Sequence, residues 1–284
     1  MIDFESWRAG VLRRLAEPRV AAGTWAPEEA DTAAAELFAA LLPDGLATDG
    51  HDILTLDGRG HVWLRVTGSE AFVFDWDLDL DSAAVTAIEQ AAAVRGATLL
   101  RINVFDGAEA RRLVDGHGFS VGNYQMRKRP SATESAVDLR PMTEAEFAAF
   151  RRTEEHSYAE DLVRARQASS FDEALARATA EDDESFPEHS DEFLRTAFSG
   201  ADAVGTLWMD FEGSQAFVLD LYVEPDARRR GHGRAIMAAA EAEASSRGAL
   251  VLGLSVFGHN DAAIALYRRI GFAATEQMLW KELG

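Results

Sequence analysis

The feature that most constrains this chain is that it repeats itself. Val62-Trp-Leu64 matches Leu207-Trp-Met209, and Ala71-Phe-Val-Phe-Asp75 matches Ala216-Phe-Val-Leu-Asp220 in the same register. Ala30 to Pro43 and Ala174 to Pro187 keep one spacing. Further on, Arg95-Gly-Ala97 matches Arg247-Gly-Ala249, Asn103-Val-Phe105 matches Ser255-Val-Phe257, and Gly118-Phe119 matches Gly271-Phe272. Gln125-Met-Arg-Lys128 matches Gln277-Met-Leu-Trp-Lys281 with one residue inserted. Ordered matches with small gaps mean two copies of one domain. The expected division is 1–130, a polar linker at 131–136, and 137–284.

Each copy reads as helices, two apolar strands, a helix, a strand, a short helix and a last strand. In the second copy the expected helices are 143–155, 158–185, 231–247 and 260–269. The expected strands are 203–211, 215–223, 249–257 and 273–282. Thr143 followed by Glu146 is a capping box, and Val137-Asp-Leu-Arg140 before it reads as a short strand. No counterpart to that strand stands before Phe4. Both faces of 215–223 are rather apolar, as in a central strand covered on each side. The acidic run Glu181-Asp-Asp-Glu184 reads as a solvated helix end.

Composition narrows the chemistry. With 28 Lys+Arg against 48 Asp+Glu the chain carries −20, which opposes binding to nucleic acid or an anionic membrane. No cysteine is present, so disulfides, thiolate metal sites and cysteine nucleophiles are excluded. No His/Asp/Glu spacing points to a metal. The start lacks the pattern of a signal peptide, and no apolar run nears the ~20 residues of a membrane span. A cytoplasmic protein is expected.

Against that acidity one stretch stands out. The strand ending at Leu221-Tyr-Val-Glu-Pro225 leads into Arg228-Arg-Arg-Gly-His-Gly-Arg-Ala235 and then an alanine-rich helix. A glycine-bearing turn at a helix N-terminus holds phosphate, because first-turn N–H groups have no helical partner and the dipole favours an anion. The plain alternative is a strand–helix connection with a solvated arginine cluster.

Arg228-Arg-Arg-Gly-His-Gly233 resembles the Arg/Gln-x-x-Gly-x-Gly/Ala signature of the GNAT N-acetyltransferase family. Asn260, Ala263, Leu266-Tyr267 and Gly271-Phe272 resemble its second motif at the right spacing. The resemblance covers 137–284 and extends, more weakly, over the first copy. It implies an α/β (α+β) fold of two tandem GNAT domains, each a mixed, mostly antiparallel central sheet flanked by helices. It implies acetyl-CoA as donor and an amine, on a small molecule or a protein, as acceptor. Arg228, Arg229, Arg230, Gly231, His232, Gly233, Arg234 and Ala235 would then cradle the pyrophosphate. The backbone of Leu221, Tyr222 and Val223 would meet the pantetheine arm and polarise the acetyl carbonyl, and Asn260 and Ala263 would line that arm. Asn260 also suits a helix N-cap.

By the same resemblance Tyr267 is the general acid near the sulfur. Asp220 or Glu224 is the base, with an ordered water chain as a third option. Glu155, Tyr158 and Trp208 are candidate acceptor-pocket residues. Trp208 has its repeat partner in Trp63, which also fits a core role. His156, His189 and His259 read as isolated surface or turn histidines.

The copies are unequal. Asp75 to Arg95 is shorter than Asp220 to Arg247, and the missing part contains the phosphate turn. Asp77, Asp79 and Asp81 stand where phosphates would sit. Val114 replaces Tyr267 and Gly107 replaces Asn260. The first copy is therefore expected not to bind acetyl-CoA in the family manner. It is expected to act as an intramolecular pseudo-dimer partner, with binding of a different small ligand, such as an effector, as the alternative; a homodimer of the whole chain is also open. Two other functions remain open at this point: a non-catalytic acyl-CoA sensor or interaction module, and aminoacyl transfer from charged tRNA.

Overall fold

The computed structural model describes residues 3–56, 58–105, 107–132, 134–185 and 193–284, without the side chains of 182–185. His189 and the side chains of Asp182, Asp183 and Glu184 lie outside what is described. In chain order the first elements are α1 (Phe4–Ala21), α2 (Ala30–Leu41), β1 (His51–Leu56), β2 (Gly60–Thr67), β3 (Glu70–Trp76), α3 (Ser82–Val94), β4 (Leu99–Val104), α4 (Gly107–His117) and β5 (Ser120–Lys128). There follow β6 (Asp138–Pro141), α5 (Glu144–Arg164), α6 (Phe171–Ser185), β7 (Phe193–Ser199), β8 (Asp202–Glu212) and β9 (Gln215–Val223). The chain closes with α7 (His232–Ser246), β10 (Val251–Phe257), α8 (Asp261–Arg269) and β11 (Ala273–Glu282). None of the described helices is long and apolar enough to cross a membrane.

The chain divides into two compact units, 1–121 with 275–284, and 122–274. The strand order is β1-β2-β3-β4-β11 in unit 1 and β5-β10-β9-β8-β7-β6 in unit 2. Each unit thus finishes its sheet with the last strand of the other half of the chain. The two lysines follow the exchange. Lys281 on β11 meets Glu89 of α3 at 2.6 Å, and Lys128 on β5 meets Glu241 of α7 at 2.7 Å. The matched sequences of β5 and β11 fit either sheet, so the repeat pattern gave no sign of which sheet each strand joins. The linker is held to α7, where Ser131 Oγ donates to Glu241 at 2.7 Å and Ser135 Oγ to the Ala235 carbonyl at 2.9 Å.

Within each unit most pairing is antiparallel, with one parallel pair, β3–β4 or β9–β10. A core of Ile236, Met237, Leu252, Leu254, Leu207 and Met209 lies under α7 in unit 2. Unit 1 has the matching core of Val62, Leu64, Ile88, Leu100 and Ile102. On the opposite face α1 and α2 bury Trp7, Phe38 and Trp63 together. Two expectations shift. The helix expected to break near 156 runs on to Arg164, because His156-Ser157 contains no breaker and Ser157 Oγ simply bonds back to the Thr153 carbonyl. The break falls at Arg166, φ 57°, and α6 then starts on a seryl cap, with Glu173 N–H donating to Ser170 Oγ and the Glu173 carboxylate accepting from Ser169 N–H. A third strand, β1 or β7, also precedes the two expected in each copy. Among the described residues no strand precedes α1, in line with the missing counterpart of β6.

Candidate active site

In unit 2 the central strand β9 changes character halfway. It pairs with β8 along its length, but a bulge falls between Asp220, opposite Trp208, and Val218, opposite Met209. Leu219 is the extra residue and is 44% exposed, although it is apolar and central. The parallel pairing with β10 runs from Val251–Gln215 to Leu254–Val218 and stops there. Beyond it β9 continues to Val223 and β10 to Phe257. The backbone around Leu221, Tyr222 and Val223 therefore has β8 on one side and no β10 pairing on the other. An unpaired strand edge of this kind can bind an extended, amide-bearing ligand.

The strand then enters the arginine turn. Glu224 N–H donates to the Val204 carbonyl at 3.0 Å, and its carboxylate end is exposed. Arg228 Nε donates to the Val223 carbonyl at 2.9 Å while its guanidinium lies over Tyr222 at 5.4 Å. Arg229 has φ 64° and Gly231 φ 90°. For Gly231 the left-handed conformation suits the absence of a Cβ. It is the N-cap of α7, and no side chain caps the helix there. The amides of His232, Gly233 and Arg234 are thus first-turn donors without helical acceptors. Ala235 N–H is already committed to the Gly231 carbonyl at 3.1 Å, which shortens the expected cradle by one residue. A Cβ on Gly233 would lie 3.4 Å from Leu266 and 3.6 Å from Val223, so glycine keeps the helix start close to β9 and α8.

Tyr267 sits on α8, inside the core of unit 2, with its ring 5.8 Å from that of Phe272. Among the described residues its hydroxyl has no hydrogen-bond partner. Burial, and then the negative charge of Asp220, push the phenol well above its ordinary range. It therefore stays protonated at neutral pH, a donor held ready in a dry place. Asn260 caps α8, its Oδ1 accepting from Ala263 N–H at 3.2 Å.

The residues expected to touch an acceptor separate by environment. Trp208 is buried, edge-on to Phe150 of α5 at 6.2 Å. Glu155 pairs with Arg151 at 3.0 Å. Tyr158 packs against Phe257 at 6.0 Å, and burial and neighbouring Glu181 push its hydroxyl up to about 12. His259 is not isolated: its Nε2 lies 2.8 Å from Asp161 Oδ1 and its ring stacks on Phe257. Nothing in the sequence links those two residues, which stand 98 positions apart. His156 meets Glu160 at 3.7 Å and Phe171 edge-on.

A family model described as the acetyltransferase (GNAT) family matches residues 147–272. The chain is 31% identical to the uncharacterized N-acetyltransferase YycN of Bacillus subtilis over 144 residues, 45% of this chain and 92% of that protein. It is 26% identical to the uncharacterized N-acetyltransferase YdgE of the same organism over 156 residues, 52% of this chain and 99% of that one. The solved structure of an N-acetyltransferase from Sphaerobacter thermophilus shares the fold, with TM-score 0.53 and 18% identity, over 96% of this chain and 92% of that one. The glycine-led helix start, the parted parallel strands and these likenesses agree: the chain belongs to the GNAT acetyltransferase family and is an acyltransferase.

Proposed function

We propose that this protein transfers an acetyl group from acetyl-CoA to a primary amine, with the chemistry in unit 2. The observation that carries the reading is the parting of β9 from β10 beyond Val218, beside a helix whose first turn has no side-chain cap. The residues present fit the donor. Amides of Gly231 to Arg234, with Arg228, Arg229, Arg230 and Arg234 around them, suit a pyrophosphate. The open edge at Leu221–Val223 suits the amide-bearing arm, and Asn260 and Ala263, at the start of α8, would line it.

Acetyl-CoA supplies the thioester whose acetyl group is moved. The amine lone pair forms the new C–N bond as the C–S bond breaks, and the amine proton needs an acceptor. Asp220 is the base we favour, since its charge is felt at Tyr267. Glu224 stands at the exposed strand end as the second candidate. Tyr267, protonated and without a competing partner, gives its proton to the leaving sulfur. Trp208, Glu155 and Tyr158 would line the acceptor side along α5. The test is a panel of primary amines with release of free thiol as the readout. Amine-dependent release supports the reading; tight binding of CoA with no turnover on any amine would leave an acyl-CoA sensor instead.

A further inference from the structure

In unit 2 the helix α5 passes over the parted strands. Phe150, near its start, packs on Trp208 of β8, and Tyr158, two turns on, packs on Phe257 of β10. β9 lies between those two strands. Two turns of helix cover about 12 Å, and two strand spacings come to about 9.6 Å, so α5 crosses β9 and lands on the far strand. One turn past Tyr158, on the same helix face, Asp161 Oδ1 lies 2.8 Å from His259 Nε2. The His259 ring stacks on Phe257, 5.6 Å between centres and 22° from parallel. α5 thus grips the end of β10 at two successive points.

That end has lost half of its sheet. Beyond Leu254, β10 has no pairing with β9 and keeps only β5, through Ser255–Gln125, Val256–Tyr124 and Phe257–Asn123. The chain then turns at once. Gly258 N–H donates to the Gly122 carbonyl at 2.8 Å, and Asn260 N–H donates to the Phe257 carbonyl at 3.0 Å. The second bond closes a four-residue turn with His259 in third place. Asn260 then caps α8, the helix that carries Tyr267. Holding the His259 side chain therefore holds the turn from which α8 starts. The first copy has no such contact to offer. Trp7 and Phe150 meet matching tryptophans; eleven residues past Phe150 stands Asp161, and eleven past Trp7 stands Pro18, which has no acceptor on its side chain. The pair occurs where Asn260 and Tyr267 occur, and is missing where Gly107 and Val114 replace them. A contact required by the fold alone would stand in both copies.

We propose that Asp161 and His259 are positioning residues for the donor: they pin the turn between β10 and α8 to α5, and so set Asn260 and Ala263 against the donor arm before it arrives. The assignment rests on the donor site proposed above. The two side chains are 31% and 30% exposed, so the pair adds little to global stability and its variants should melt within about two degrees of the parent. The test combines calorimetry of CoA binding to the full chain with amide hydrogen exchange of the unliganded protein. His259→Ala and Asp161→Ala should each weaken CoA binding roughly tenfold, and the double variant should lose no more than either single one. His259→Gln, whose Nε2 can reach the same carboxylate, should recover most of that loss. Exchange at the Asn260 and Ala263 amides should speed up several-fold in His259→Ala. Additive losses in the double variant, or unchanged CoA affinity in both single variants, would overturn the positioning role. If the parent chain binds no CoA, the donor site itself fails and the exchange rates decide the pair. Unchanged rates at Asn260 and Ala263 would then overturn the pinned turn as well, and faster ones would uphold it.

Discussion

The start of α3 and the start of α7 are the same place in the two units, and they treat charge in opposite ways. In unit 1 the chain supplies its own anion: Asp81 caps α3, with Oδ1 accepting from Ala84 N–H at 2.9 Å, and Arg59 pairs with that carboxylate at 2.7 Å. Asp77 is likewise taken up by the backbone N–H and ring of His61. In unit 2 the corresponding helix starts on Gly231, uncapped, among arginines. The central strands share one backbone plan. Both bulge opposite a buried tryptophan, placing Asp75 opposite Trp63 and Asp220 opposite Trp208. Asp75 is closed off by Arg14, at 2.8 and 2.7 Å in a bidentate pair. Trp7 meets Trp63 edge-on as Phe150 meets Trp208; two helical turns past Trp7 stands Arg14, and two turns past Phe150 stands Ser157, too short to reach a strand. The lesson is that one fold becomes a site or a filled scaffold according to whether its exposed ends are satisfied from within.

The contrast breaks most readily at Gly231. Gly231→Val puts a β-branched side chain at φ 90° and disturbs the first-turn amides. Loss of two charge-assisted hydrogen bonds predicts CoA binding weaker by on the order of a hundredfold. Calorimetry checks this; unchanged affinity would remove α7 from donor binding.

Next in size is Tyr267→Phe. If the phenol protonates sulfur, kcat should fall roughly a hundredfold while the dissociation constant for CoA stays put. A melting curve that drops with kcat unchanged would make Tyr267 a packing residue. The third prediction concerns stability in unit 1. Arg14→Ala leaves Asp75 buried without its partner, and the chain should lose about 3 kcal/mol, measured by denaturant unfolding. A smaller loss in the double variant Arg14→Met, Asp75→Leu would show that the pair fills space and does not itself stabilise. Ser157→Ala, at the matching place in unit 2, should do almost nothing.

Much of this was legible in the sequence because it rests on local rules. The glycines of the arginine turn, the Thr143–Glu146 box and the alternation along 215–223 are each decided within a few residues. The bulge at Leu219 was harder, because an extra residue in one strand shows only against its partner. His259 with Asp161, and Arg14 with Asp75, need a tertiary fold to bring the groups together. The exchange of β5 and β11 was hidden for a different reason: two strands with one pattern fit either sheet, and only Lys128–Glu241 and Lys281–Glu89 in the folded chain show the outcome.

The smallest expected effect probes the self-made anion directly. Asp81→Ala removes the cap of α3 and the partner of Arg59, leaving the Ala84 amide to water. A lost exposed cap in a chain of this size should lower the melting temperature by roughly two degrees. It also exposes a helix N-terminus in unit 1 that resembles the one in unit 2. If the turn of Arg228 to Gly233 is what recruits the donor, uncapping α3 should add no second equivalent of bound CoA, because Asp77 and Asp79 still oppose phosphate there. A second equivalent, seen by calorimetry, would mean that an open helix start is enough, and that Asp81 alone keeps unit 1 from binding.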